Sequence, residues 1–147
     1  MTINEVQDEI IDEMAGMDDW LDRYAYIIDL GNTLPPIPED MKTPTNLIEG
    51  CQSRVWIDAK ENDDRHIHFE ADSDAMIVKG IVALLMRVLN DRTPDEILGA
   101  DLYFIDRIGL SEHLSPTRSN GLVAMVKQIR NYATAFKLIN DKRPDNL

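Results

Sequence analysis

The chain of 147 residues contains a single cysteine, Cys51, and that scarcity excludes several chemistries at once. An internal disulfide is impossible, and so is a zinc or iron–sulfur site built from several thiolates of one chain. No run reaches the roughly 18 consecutive apolar residues needed to cross a bilayer. The segment from Met1 to Glu13 is acidic and lacks the basic n-region of a secretory signal, so a cytoplasmic location is expected. Basic residues are few, 15 against 27 acidic, for a net charge of −12. That balance argues against a nucleic-acid partner, because phosphates attract basic patches. Glycines are scattered: neither Gly80 nor Gly121 belongs to a glycine run, and no Walker-type lysine follows one, so nucleotide binding is unsupported. No nucleophile elbow surrounds any serine.

What is present suffices for one domain over residues 1–147, with 44% hydrophobic residues for its core. Ile3, Val6, Ile10 and Met14 recur at helical spacing, and Trp20, Tyr24, Ile27 and Ile28 do so again, with Gly31 as the expected stop. Pro35, Pro36, Pro38 and Pro44 make the next stretch an extended crossing loop. It leads to a short strand over 46–49 and a turn at Gly50-Cys51. Val55, Ile57 and Ala59 then alternate with Trp56 and Asp58, and Ile67, Phe69 and Ala71 with His66, His68 and Glu70. This predicts a β-hairpin.

Asp72 or Ser73 is expected to cap a helix apolar nearly all round, Ile77 to Val88, with Gly80 packing against the sheet. Thr93-Pro94-Asp95-Glu96 is a capping box that opens a short helix ending near Gly99. Ser115-Pro116 opens a long last helix, and residues 141–147 form a frayed tail. The fold class is therefore α+β, a small antiparallel sheet of about three strands packed by helices.

Three groups of residues are candidates for chemistry. Cys51 follows Gly50, which lets the backbone turn, and the thiol is either an inert core group or a reactive one. Reactivity requires access and a positive potential, from Arg54 or from a helix N-terminus nearby. Arg118 lies in the first turn of the last helix, where the dipole disfavours a cation by roughly 0.3–1 kcal/mol. It either completes an anion site or pairs with Glu112 or another acid. His66 and His68, with Glu70 beyond, can be read as metal ligands, but the polar face of a half-exposed hairpin explains them fully. His113 reads as structural.

Three motifs together resemble the SufE family of sulfur acceptor proteins, which includes the CsdE proteins. They are Gly50-Cys51-Gln52-Ser53 with Val55-Trp56, Asp72-Ser73-Asp74-Ala75 with Ile77-Val78-Lys79-Gly80, and His113-Leu114 with Ser115-Pro116-Thr117-Arg118-Ser119-Asn120-Gly121-Leu122. Trp20 and the run from Tyr24 to Gly31 also fit. Thr117 and Arg54 stand where the family more usually has serine and a neutral residue.

The resemblance implies a fold similar to U-type scaffold proteins and no cofactor of the chain's own. It implies a partner cysteine desulfurase (SufS/CsdA-like) that owns the pyridoxal phosphate. Cys51 would take persulfide sulfur from that enzyme, stimulate it, and pass the sulfur to a SufBCD-like iron–sulfur scaffold. The protein would be no stand-alone enzyme. Gly50, Gln52, Ser53 and Asp74 are expected to contact the partner, with Arg118 in support. The alternatives are an adaptor that activates the desulfurase by docking alone, or an iron–sulfur scaffold that shares a cluster between chains.

Overall fold

The computed structural model describes residues 1–48 and 53–142. Helices α1 (Ile3–Ala15) and α2 (Trp20–Thr33) open the chain. The hairpin β1 (Val55–Glu61) and β2 (Ile67–Ser73) follows, then α3 (Met76–Leu89), α4 (Pro94–Gly99), α5 (Phe104–Arg107), α6 (Leu110–His113) and α7 (Pro116–Asp141). The expected mixed class holds: a small antiparallel sheet covered by helices.

β1 and β2 pair from Val55↔Ser73 to Glu61↔Ile67. The third strand expected over 46–49 is reduced to an isolated bridge, Leu47↔Trp56, on the outer edge of β1. His66 precedes β2 and belongs to the turn, where Arg65 has φ 64°. Val55, Ile57, Ile67, Phe69 and Ala71 all face the core. Trp56, on the opposite face, is also buried, beneath the ammonium of Lys42 at 5.2 Å from the ring centre.

Local chemistry explains most helix boundaries. Thr2 and Glu5 form a capping box at α1, and Thr93 and Glu96 another at α4. Asp19 caps α2 through the Leu21 amide. Ser115 caps α7 through the Arg118 amide. α3 departs from expectation. Its N-cap position is Ala75, which offers no side-chain bond, while Asp72 and Ser73 still belong to the sheet.

Two glycines act differently from the sequence reading. α2 runs on through Gly31 to Thr33, so Gly31 is not a stop. A Cβ on Gly31 would lie 2.7 Å from the Gly80 nitrogen, and a Cβ on Gly80 would lie 2.2 Å from the Ile27 carbonyl oxygen. Both residues therefore serve one close crossing of α2 over α3, and Gly80 packs on a helix instead of the sheet. The sequence marked both positions as special but not that they meet.

For the stretch from Leu102 to Leu114 the sequence predicts no secondary structure. The stretch holds α5 and α6, separated by Gly109 in the left-handed conformation at φ 76°. Trp20 packs against this turn, its ring stacked on His113 at 3.8 Å with 16° between planes. Tyr24 donates to the His113 carbonyl at 2.7 Å, and the Arg23 guanidinium donates to the Ile108 carbonyl at 2.7 Å. His113 is thus structural, pinning α6 to α2. Gln7, fully buried, spans α1 to the start of α5: its amide donates to the Asp101 carbonyl at 3.0 Å and accepts the Phe104 N–H at 3.1 Å.

Candidate functional site

Cys51, Gly50 and Gln52 lie outside the described residues, but the chain on both sides of them is anchored. On the approach side the Ile48 N–H donates to the Val55 carbonyl at 2.8 Å, and the Ile57 N–H to the Asn46 carbonyl at 2.9 Å. Ile48 itself is buried. On the return side, Arg54 is held by three bonds. Its N–H donates to the Asp74 carboxylate at 3.0 Å, and its carbonyl accepts the Asp74 N–H at 3.2 Å and the Ser73 hydroxyl at 2.8 Å. Ser53 is half-buried just outside this clamp.

Of the residues expected to contact a partner, Asp74 has a structural task visible in the fold: it ties down the chain at Arg54. Its carboxylate is exposed apart from that bond. Arg54 is exposed, and its part in the clamp is played by its backbone.

The N-terminus of α3 follows the clamp directly. It has no side-chain cap and no acid in its first turn. Its first amide groups therefore present the positive end of a 14-residue helix beside the Arg54–Asp74 clamp. The Ser73 hydroxyl accepts the Ala75 N–H at 3.3 Å, which fixes the chain's entry into the helix.

Arg118 is exposed at the start of α7 and makes no ion pair among the described residues, so the expected alternative of pairing with Glu112 is not what the fold shows. Two bonds orient α7 against the sheet. Tyr132 donates to the Ile57 carbonyl at 3.1 Å, and the Asn140 amide to the Glu61 carboxylate at 2.8 Å. Helix and strand consequently run in the same direction. The α7 N-terminus and the end of β1 that leads to residues 49–52 lie toward one end of the molecule.

The histidines diverge. His66 Nδ1 lies 2.8 Å from Asp64 Oδ1, and His68 Nδ1 lies 2.8 Å from Asp91 Oδ1. Each ring thus has its own carboxylate. Among the described residues no group of three or more His, Cys, Asp or Glu side chains converges as a metal site. No helix of the described residues is long and apolar enough to cross a membrane.

Comparisons with known proteins agree with this arrangement. Residues 8–133 match the family model described as SufE, an Fe-S metabolism associated domain. An uncharacterized SufE-like protein of Rhizobium etli is 45% identical over 130 residues, 86% of this chain and 88% of its own length. The solution structure of a hypothetical protein from Thermus thermophilus superposes with a TM-score of 0.73 over 90% of this chain and 96% of that one. At 18% identity this last likeness concerns the fold alone. Since the family model spans the hairpin, both anchors of the cysteine segment and the start of α7, the chain belongs to the SufE family and is associated with iron–sulfur metabolism.

Proposed function

We propose that this protein accepts sulfur on Cys51 from the persulfide of a cysteine desulfurase, stimulates that enzyme, and hands the sulfur to a scaffold that assembles iron–sulfur clusters. The observation that carries the reading is the SufE match across residues 8–133, which includes the chain's sole thiol. The architecture around that thiol supports it. The chain is anchored on either side of the segment that carries Cys51, at Ile48 and at Arg54, and the Arg54–Asp74 anchor adjoins the uncapped N-terminus of α3.

The chemistry is a thiol exchange. The Cys51 thiolate attacks the outer sulfur of the partner's persulfide, one S–S bond forms as another breaks, and the partner's cysteine leaves as a thiolate. The product is a persulfide on Cys51, with no net oxidation or reduction. A free cysteine is only a few per cent thiolate at neutral pH. A helix N-terminus raises that fraction by stabilising negative charge. The protein turns over nothing alone and needs no cofactor, since the pyridoxal phosphate that frees the sulfur belongs to the desulfurase.

Mass spectrometry after incubation with a desulfurase and free cysteine tests the reading. One added sulfur, about 32 Da, is expected on the wild type and none on Cys51→Ser. The same variant should lose stimulation of the desulfurase. Full stimulation by Cys51→Ser would instead identify a docking adaptor, and absence of the adduct on Cys51 would refute the carrier role.

A further inference from the structure

Positive charge is gathered on one helix of a strongly acidic chain. The protein carries 27 acidic residues and a net charge of −12, yet no Asp or Glu stands between Glu112 and Asp141. Arg118, Lys127, Arg130 and Lys137 all fall in that interval, on α7. Lys137 is engaged with Asp95 of α4 at 2.7 Å. Lys127 and Arg130 make no ion pair among the described residues. These two border an open groove of about 760 Å³ between the first half of α7 and the segment 101–105.

The walls of the groove are largely apolar: Leu102 and Ile105 on one side, Leu122, Val123 and Val126 on the other. Val123 is 67% exposed in the middle of a helix, and Leu102, Ile105 and Val126 are only half-buried. Contiguous apolar surface left open to water and rimmed by polar groups marks an interaction site. Its backbone is closed to an extended peptide. The groups of α7 are bonded within the helix. The Ala100 carbonyl accepts from Arg130 at 3.1 Å, the Asp101 carbonyl from Gln7 at 3.0 Å, and the Leu102 carbonyl from the Ile105 N–H at 3.4 Å. With no open edge for strand pairing, an occupant has to satisfy its own backbone, as a helix does. The α7 wall from Ser119 to Asn131 is about 18 Å long, enough to seat about three helical turns.

We propose that this groove docks an acidic amphipathic helix of a partner protein. The apolar face of that helix lies on Ile105, Val123 and Val126, and its carboxylates meet Lys127 and Arg130. Charge complementarity sets the sign of the partner: the lining holds two cations and one acid, Asp101, on a molecule that is otherwise strongly negative. A second copy of this chain does not supply such a helix. Its α1 is acidic and has no Lys or Arg, but the apolar face of α1, Ile3, Val6, Ile10 and Met14, is buried in its own core. None of the residues that line the groove belongs to the cysteine segment or its anchors, so the proposal does not depend on the sulfur-carrier reading.

The test is fluorescence anisotropy with two synthetic amphipathic peptides of about four helical turns. Both carry leucine on one face; the other positions are glutamate in one peptide and lysine in the other. Each is titrated with the full chain at low salt. The overall negative charge favours the lysine peptide, so tighter binding of the glutamate peptide, by at least about fivefold, reports a local basic site. Val123→Glu and Lys127→Glu alter exposed positions and should melt like the wild type. Each should weaken the glutamate peptide by about tenfold or more. No saturable binding of the glutamate peptide, equal or tighter binding of the lysine peptide, or unchanged binding by either folded variant would overturn the proposal. Self-association of the free chain that Val123→Glu abolishes would also overturn it and assign the groove to a second copy.

Discussion

At the residue scale, the sequence identifies Asp74 and Arg118 by motif, and the fold distinguishes their roles. Asp74 accepts the Arg54 N–H and so closes the return side of the cysteine segment. Asp74→Ala removes that acceptor at an exposed site, a loss of about 1 kcal/mol. The folded variant should therefore show faster reaction of Cys51 with iodoacetamide, by about fivefold if the clamp limits access. An unchanged alkylation rate would remove Asp74 from control of the loop. Arg118 is the opposite case, an exposed cation in the first turn of α7 with no ion pair among the described residues. Arg118→Ala should leave the melting temperature unchanged or slightly raised, because the misfit with the helix dipole is relieved. Sulfur acceptance from the desulfurase should slow. Unaltered transfer would show that Arg118 has no part in the site.

At the element scale, the crossing of α2 over α3 is the contact least tolerant of change. Gly80→Ala would place a methyl group 2.2 Å from one backbone atom of Ile27 and 2.7 Å from another, so the helices must separate. Overpacking against backbone is expected to cost about 2–4 kcal/mol, read as a drop in the urea midpoint. Gly99→Ala is the control. Nothing lies within 4 Å of its added Cβ, and the stability change should stay within about 0.5 kcal/mol. Helix existence was largely legible in the sequence because caps and apolar periodicity are local. Thr93 with Glu96, and Ser115 with Pro116, mark their helices within a few residues. The pair Gly31 and Gly80 was not legible as a pair, since 49 positions of chain separate two residues that touch only after folding. The short helices α5 and α6 escaped for another reason: four residues each are too few to show a period.

At the scale of the whole molecule, one ion-pair network joins the first helix to the middle of the fold. Arg87 on α3 binds Glu13 of α1 through both of its terminal nitrogens, at 2.8 and 2.9 Å, and also reaches Glu9, while Tyr26 of α2 donates to Glu13. The Arg87 hydrogen bonds hold the Glu13 carboxyl down to a pKa of about 2, from an ordinary 4.5. A carboxylate with a depressed folded pKa contributes stability above its unfolded value and loses it as pH falls toward the folded one. The contribution is therefore complete above about pH 4.5 and fades toward pH 2. Glu13 is 37% exposed, so solvent screening limits it to about 1 kcal/mol. Arg87→Met should be less stable than wild type in urea at pH 7, and the gap should narrow at pH 3. A gap independent of pH would mean that Arg87 acts through packing alone.

The sequence by itself determined that the chain has a single thiol, that the class is α+β, and which motifs flank Cys51. These follow from composition and from interactions spanning a few residues. Only the tertiary structure decided that Asp74 clamps Arg54, that α3 begins uncapped beside that clamp, and that Gly31 and Gly80 face each other. Each of these is a meeting of segments distant in sequence, and such meetings depend on where packing brings the elements, which local pattern does not encode.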